Sequence, residues 1–514
     1  MIPTLDTAAL MPMILVGLGA LFLPLIEVLL ARMIRQKRTW LSRPINRSMA
    51  GAWIAGLTCA LLGFALVLTL STVGADVRFF NLSHPTARLD GLTGFLNATI
   101  LIATLITVAV SNRYLAAHDI NHGEFYALIL ASVLGMMLLT AATDLILLFL
   151  ALELMSIPIY ALAGFQRTSL KSNEAAIKYF MIGSFASAIL LYGCSLLYGV
   201  TGSVDLATIA ARLDPENPLA LLGAALVLIG LAFKISSVPF HQWAPDVYEG
   251  APTTVTGFMA TAVKVAGFGA LIRVLAVALE PSSESFYWVL WWMAALSMTV
   301  GNIMAIIQDN AKRMLAYSSI AHAGYVLLGF CVGTDQAFAA VLFYLLVYTF
   351  MSLGAFTVIA GLARSGREPE RVDDLAGLGA THPFQATVMS LCMFALAGIP
   401  GTGGFIGKFQ LVSSAVSRAR AIDDSSLIWL SVILVLNSAV SLAYYLRVPV
   451  VMWFRDPEES REPGANSGFL AGAALVVCAA AVILFGLVPN DLLVVTSEQV
   501  DALSSAQTAA SSLR

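Results

Sequence analysis

Charge is scarce in this chain. Only 11% of its 514 residues are Asp, Glu, Lys or Arg, against 59% hydrophobic, and soluble domains carry about twice that charged share. An ordinary soluble fold is excluded, and no nucleic-acid partner is expected. Cysteine is sparse as well: Cys59, Cys194, Cys331, Cys392 and Cys478 stand singly in apolar runs. Without a CxxC or ferredoxin-like spacing, iron–sulfur ligation and haem attachment are excluded. No basic residue precedes Arg32, so the first apolar run lacks the n-region of a cleavable signal peptide and reads as a retained span.

What the chain does have is long hydrophobic runs. Fourteen occur, at approximately 8–31, 49–74, 92–111, 124–142, 144–166, 175–199, 217–238, 252–279, 285–308, 313–332, 336–363, 384–415, 426–454 and 468–489. Each is long enough to cross a hydrocarbon layer of about 30 Å. Asp144 marks the turn between the nearly fused fourth and fifth. Seventeen Lys and Arg residues fall in the loop after the first run and in alternate loops beyond it, against six on the other side. Basic loops stay in the cytoplasm, so both termini are expected outside. At an offset of 165, Tyr179, Phe185 and Ser187 match Tyr344, Phe350 and Ser352, which suits inverted repeats of a transporter type. The expected fold is an all-α polytopic membrane protein of about 14 transmembrane helices, with two inverted five-helix repeats containing broken helices. The expected division is 1–123 for helices 1–3, 124–283 and 284–460 for the repeats, and 461–514 for the last helix and a short tail. The Ala/Ser-rich end, SSAQTAASSLR, reads as disordered.

Ionisable residues inside these runs are the candidates for chemistry, because charge at bilayer depth is expensive. The stretch 231–271 holds two of them. Lys234 ends an apolar run, Pro239 and Pro245 break the helix around His241, and an acidic turn, Asp246 to Gly250, leads to Pro252 and a new helix. Lys264 lies roughly 18 Å along that helix, near mid-membrane. Lys234, close to a helix end, either snorkels to the interface or stays buried. Glu153 is also placed near mid-depth, as a titrating acid paired with a lysine or a protonated acid bonded to a neighbouring helix. Lys408 follows Pro400, Gly401, Gly403, Gly404 and Gly407, an interruption that reads as a polar gap or as a flexible kink. His322 is a possible proton relay or a neutral histidine bonded between helices; His241 either holds the loop or wires Lys234 to Lys264. His118 and His122 have metal-pair spacing but no third ligand, and no metal is expected. Glu27, Arg273 and Arg447 lie near span ends with routes to the surface.

Three segments, KISSVPFHQWAPDVYEGAPTTVTGFMATAVK, LELMSIPIYALAGFQR and EAAIKYFMIGSFASAILLYG, closely resemble the antiporter-like membrane subunits of respiratory complex I, the NADH:quinone oxidoreductase. One sister subunit carries a long lateral helix after its last core span, and another a glutamate in the broken twelfth span. Here about 25 residues follow residue 489 and Lys408 stands in the break, so the resemblance points to the remaining sister. It implies a proton route through Glu153 paired with Lys234, Lys264 as central relay and Lys408 as terminal site. It implies no cofactor in this chain, with NADH, FMN, iron–sulfur clusters and quinone in partner subunits. Its expected setting is the bacterial inner membrane, among other complex I membrane subunits including neighbouring antiporter-like ones. A subunit of a multisubunit cation/proton antiporter is the alternative.

Overall fold

The computed structural model describes residues 7–35, 39–40, 43–44, 47–72, 76–79, 85–364, 366–456 and 468–511. The side chains of Arg35, Lys37, Arg38, Arg43, Arg47, Arg461 and Arg514, part of the basic-loop count, lie outside the described residues. The chain is almost entirely helical. Its first helices are α1 (Thr7–Arg35), α2 (Arg47–Ser71), α3 (Gly91–Ala117), α4 (Gly123–Ala141), α5 (Leu145–Ala163) and α6 (Leu170–Thr201). A short α7 (Leu206–Arg212) precedes α8 (Pro218–Lys234), α9 (Trp243–Gly250), α10 (Thr253–Phe258) and α11 (Lys264–Arg273). Then come α12 (Ser283–Ile306), α13 (Ala311–Val332), α14 (Asp335–Gly361), α15 (Leu378–Thr381), α16 (Pro383–Ala397), α17 (Gly403–Ile422), α18 (Ser425–Phe454), α19 (Gly468–Leu487) and α20 (Asn490–Ser511). Two antiparallel pairs, Thr39–Trp40 with Arg43–Pro44 and Val77–Phe79 with Ala87–Leu89, close loops.

Twelve of the described helical segments are long and apolar enough to cross a membrane. The shorter apolar α8 and α16 supply two more crossings, each continued after a break by α9 and α17. The fourteen runs of the sequence are thus all present. Short polar residues fix where helices start. Asp90, Asp144, Asp205 and Asn310 accept hydrogen bonds from backbone N–H groups of the first turn, which would otherwise lack partners. Left-handed Gly202 and Gly333 end α6 and α13, as a residue without Cβ can.

Burial sorts the helices. The apolar cores of α13 and α14 are completely enclosed, whereas most of α1, α2, α18 and α19 faces outward. Phe469 is 88% and Leu21 70% exposed, as side chains turned to lipid should be. A helix apolar all round belongs in the middle. α13 and α14 therefore form the centre, and the polar groups of their middle turns, such as Ser319, His322 and Tyr344, are buried.

Two local expectations fail. Asp246 to Gly250 is not a turn but the second half of α9, and Pro245 sits in that helix's first turn, where its missing N–H costs nothing. The break is made earlier, over residues 235–242. Of the tail read as disordered, residues 504–511 are helical, the end of α20, which as an element packs across α3, α7 and α14. Val500 is fully buried there, an anchor that composition alone does not reveal.

Candidate functional site

The interrupted helices place the lysines. α8 ends at Lys234 itself, and the ammonium turns inward, 2% exposed. It donates to Ser156 Oγ at 2.7 Å and Tyr160 Oη at 3.2 Å, and lies 5.4 Å from the Tyr160 ring and 6.0 Å from that of Tyr179. Snorkelling is therefore not its arrangement. Glu153, one turn before Ser156 on α5, acts on Lys234 electrostatically. No ion pair within 4.0 Å joins them among the described residues, and Glu153 Oε1 is buried without a hydrogen-bond partner. The expected contact is replaced by two hydroxyls.

Lys264, also 2% exposed, follows directly on a π-helical turn, Met259–Val263. Such turns insert an extra residue and often mark functional sites. The Lys264 ammonium donates to the Ser319 carbonyl at 2.6 Å. One turn further along α13, His322 Nδ1 lies 2.6 Å from Tyr344 Oη, and Nε2 lies 2.9 Å from Tyr445 Oη. Tyr445 also bonds Ser318. Tyr444, its ring tilted against that of Tyr445 at 4.2 Å, donates to Asn302, which donates to Tyr325 Oη at 2.9 Å. The Tyr325 ring lies under the Lys408 ammonium at 4.7 Å. His322 is within electrostatic reach of both Lys264 and Lys408.

Lys408 caps the broken helix. α16 ends at left-handed Gly398, φ +88°, and the ammonium takes the freed carbonyls of Leu396 and Ala397, each at 3.0 Å. A cation at a helix C-terminus also meets the negative end of the helix dipole. The glycines make this approach possible. A Cβ on Gly404 would stand 1.9 Å from the Ala395 carbonyl oxygen. Gly404→Ala is therefore expected to cost about 1–3 kcal/mol through overpacking, read as a lowered melting temperature of the purified complex; an unchanged value would show that the helix ends part freely.

The 165-residue offset reaches further than the three matches in sequence. Tyr160 and Tyr325 are also separated by 165, and each lies under the lysine of a broken helix. Glu153 corresponds to Ser318, so the offset carries no acid to the second site. Tyr325 is legible in sequence beside His322, whereas Ser156, Tyr160, Asn302, Tyr444 and Tyr445 were missed; the offset would have led from Tyr325 to Tyr160.

His241 sits half-buried in the break, its Nδ1 without a partner, and no hydrogen bond joins it to Lys234 or Lys264. Glu27 caps α4 by accepting from Gly123 N–H at 2.8 Å, and Arg447 reaches Asp309 at 2.8 Å. Arg273 does not escape to the surface. It is 3% exposed, bonded to Asp90 at 2.6 Å and to the Thr140 carbonyl at 2.7 Å. Burial pushes Asp90 up, but the Arg273 guanidinium, with the Thr93 N–H and Arg88, holds its carboxyl below the usual range. At the opposite face Glu368 takes Lys312 at 2.8 Å and the Thr253 hydroxyl at 2.6 Å. That pair ties the start of the Lys264 helix to the start of the His322 helix.

A membrane-buried row of amines, hydroxyls and one imidazole suits proton transfer. The family model described as "NADH:quinone oxidoreductase/Mrp antiporter, TM" matches residues 142–441, which hold the whole row except Tyr444 and Tyr445. NADH-quinone oxidoreductase subunit N of Trichlorobacter lovleyi is 46% identical over 446 residues, 86% of this chain and 89% of that protein. A chain of respiratory complex I from Thermus thermophilus shares 35% identity at a TM-score of 0.73, covering 92% of this chain and 98% of its own. A chain of the Mrp complex from Dietzia sp. superposes at a TM-score of 0.81 with 23% identity, over 97% and 99% of the two chains, a likeness of fold alone. The sister expected from Lys408 and the short tail is the one found, and the chain belongs to the subunit N family of the antiporter-like membrane subunits of NADH-quinone oxidoreductase.

Proposed function

We propose that this chain carries protons across the bacterial inner membrane as a membrane-arm subunit of NADH:quinone oxidoreductase. The carrying observation is the row itself. Lys234, Lys264 and Lys408 are all nearly inaccessible, and hydroxyls, His322 and Asn302 fill the space from Lys264 to Lys408. An amine at such depth is costly, by about 2.5–3.5 kcal/mol on insertion scales, and proton transfer gives it a use. In this reading Glu153 and Lys234 receive the coupling signal, Lys264 and His322 relay, and Lys408 is the terminal site. The electron-transfer chemistry, with NADH, FMN, iron–sulfur clusters and quinone, belongs to partner subunits, and antiporter-like subunits are the neighbours.

Lys408→Ala tests the terminal role. The assembled complex, reconstituted in vesicles, should pump protons about tenfold more slowly, the effect of roughly 1.4 kcal/mol on the barrier. Full-rate pumping by an assembled mutant would reduce Lys408 to a helix cap. Orientation is tested separately. Reporters at about residue 40 and about residue 370 should read cytoplasmic and one at the C-terminus external; a cytoplasmic C-terminus would overturn the topology. Membership of a cation/proton antiporter complex is the second reading. Copurification of a hydrophilic redox arm with the tagged chain favours the oxidoreductase, and its absence the antiporter.

A further inference from the structure

The hydroxyls of Tyr248 and Ser319 are both buried, neither has a hydrogen-bond partner within 3.5 Å, and the two lie close enough to act on each other. Ser319 is the residue whose carbonyl holds the Lys264 ammonium at 2.6 Å. Two unpartnered hydroxyls in a closed interior each cost about 1–3 kcal/mol. A bridging water relieves such a site where polar groups converge. Tyr348 adds a third hydroxyl beside Ser319, and its ring lies 5.0 Å from that of His322.

Tyr248 belongs to α9, a helix with two unlike sides. One side borders a cavity of about 230 Å³ whose charged lining includes Lys171, Lys178, Asp246, Glu249 and Arg313. Arg313 bonds Asp246 at 2.6 Å and Glu249 at 3.2 Å. Burial pushes Asp246 up, but hydrogen bonds from Lys178 and Arg313 outweigh it and hold the carboxyl below its usual range. The other side turns Trp243, Val247 and Tyr248 into the core. Along α13, Arg313 in the charged basin and Ser319 beside Lys264 are six residues apart, roughly 9 Å. A tyrosine side chain is long enough to cover most of that depth. α9 is also tied to the Lys264 helix at this residue, because Thr256 Oγ donates to the Tyr248 carbonyl at 3.0 Å.

We propose that Tyr248 and Ser319 form a hydrated relay that delivers protons from the charged basin on α9 to Lys264 without passing through Glu153 and Lys234. The step is a hydrogen-bond exchange: a proton enters at one end of the hydroxyl–water chain as another leaves to the neutral Lys264 amine, and no bond other than O–H and N–H forms or breaks. Protons then enter the lysine row at Lys264, and Glu153 with Lys234 gates that entry rather than feeding it. This rests on the proton-carrying function proposed above.

The test uses the complete oxidoreductase in vesicles, with quinone reduction and proton uptake measured together. Tyr248→Phe keeps the ring and removes the relay atom; Ser319→Ala removes the second. Each is expected to slow pumping about tenfold, equivalent to about 1.4 kcal/mol, with the KM for quinone unchanged. Because both act in one series path, the double variant should be no slower than either single one, whereas combination with Glu153→Gln should multiply the losses. Full-rate pumping by Tyr248→Phe and Ser319→Ala, or simple multiplication of their effects, would overturn the relay. Lys264→Ala separates the two levels: full-rate pumping by that assembled variant would overturn the function itself, while its loss alongside an unaffected Tyr248→Phe would overturn the inlet alone.

Discussion

Glu153→Gln in the assembled complex should slow proton pumping and the coupled quinone reduction together, by about tenfold or more. The carboxylate stands near an ammonium that is fully buried and held by neutral hydroxyls only. Two opposite charges about 5 Å apart at an effective dielectric of about 20 interact by roughly 3 kcal/mol. That energy is present when Glu153 and Lys234 are close and lost when a movement separates them, so in the proposed mechanism the distance between them is the coupling variable. Lys234 donates to Ser156 and Tyr160, and one carboxylate oxygen of Glu153 is without a hydrogen-bond partner. Glutamine removes the charge at nearly constant shape, so the loss belongs to electrostatics. Glu153→Asp should keep part of both activities, since the charge remains and only shifts by one methylene. Coupled titration makes single-site readings of the pair misleading, so the measurement is initial pumping rate against quinone reduction rate. Full activity in an assembled Glu153→Gln complex would remove Glu153 from the mechanism.

The largest effect on stability is expected at Arg273. Its guanidinium joins Asp90 at the start of α3 to the Thr140 carbonyl at the end of α4, with Thr93 Oγ 2.6 Å away. Arg273→Met leaves the Asp90 carboxylate, itself 3% exposed, without its main counter-charge. Breaking a buried pair from one side costs about 3–5 kcal/mol, and neutralising both sides recovers much of it. The single variant should therefore fail to accumulate at elevated growth temperature, and Asp90→Asn combined with Arg273→Met should accumulate better than Arg273→Met alone. If the double variant is no better, the defect lies in lost packing of the arginine. The pair also sets an acid limit. Asp90 is held below its unfolded value near 3.9. Its contribution is therefore present above about pH 4 and lost as pH falls through the lowered native value. Thermal melts of the wild type between pH 6 and pH 3 should show this loss, and the double variant should lack it.

Much of the architecture was legible before any coordinate. A run of about 20 apolar residues has few fates other than a membrane span. Pro400 and the glycines that follow it announced the second break correctly, because a backbone stripped of side chains and donors cannot continue a helix against its neighbours. The first break was displaced in the reading. Pro239 belongs to it, but Pro245 starts α9, and a proline in a first turn and a proline in a break look alike in sequence. The tail reading failed in the same way, since α20 depends on docking against α3, α7 and α14 rather than on its own composition.

The sequence by itself determined that this is a multispan membrane protein with three lysines and a glutamate where charge is costly, and its motif wording placed it among the antiporter-like subunits. Only the tertiary structure decided what those charges touch. Lys234 meets Ser156 and Tyr160 rather than Glu153, Lys264 meets a carbonyl of α13, and Arg273 finds Asp90 at a separation of 183 residues. Depth follows from counting residues along one helix, each adding about 1.5 Å. A partner, by contrast, is set by the rotation and packing of a different helix, and no periodicity within the first helix encodes it.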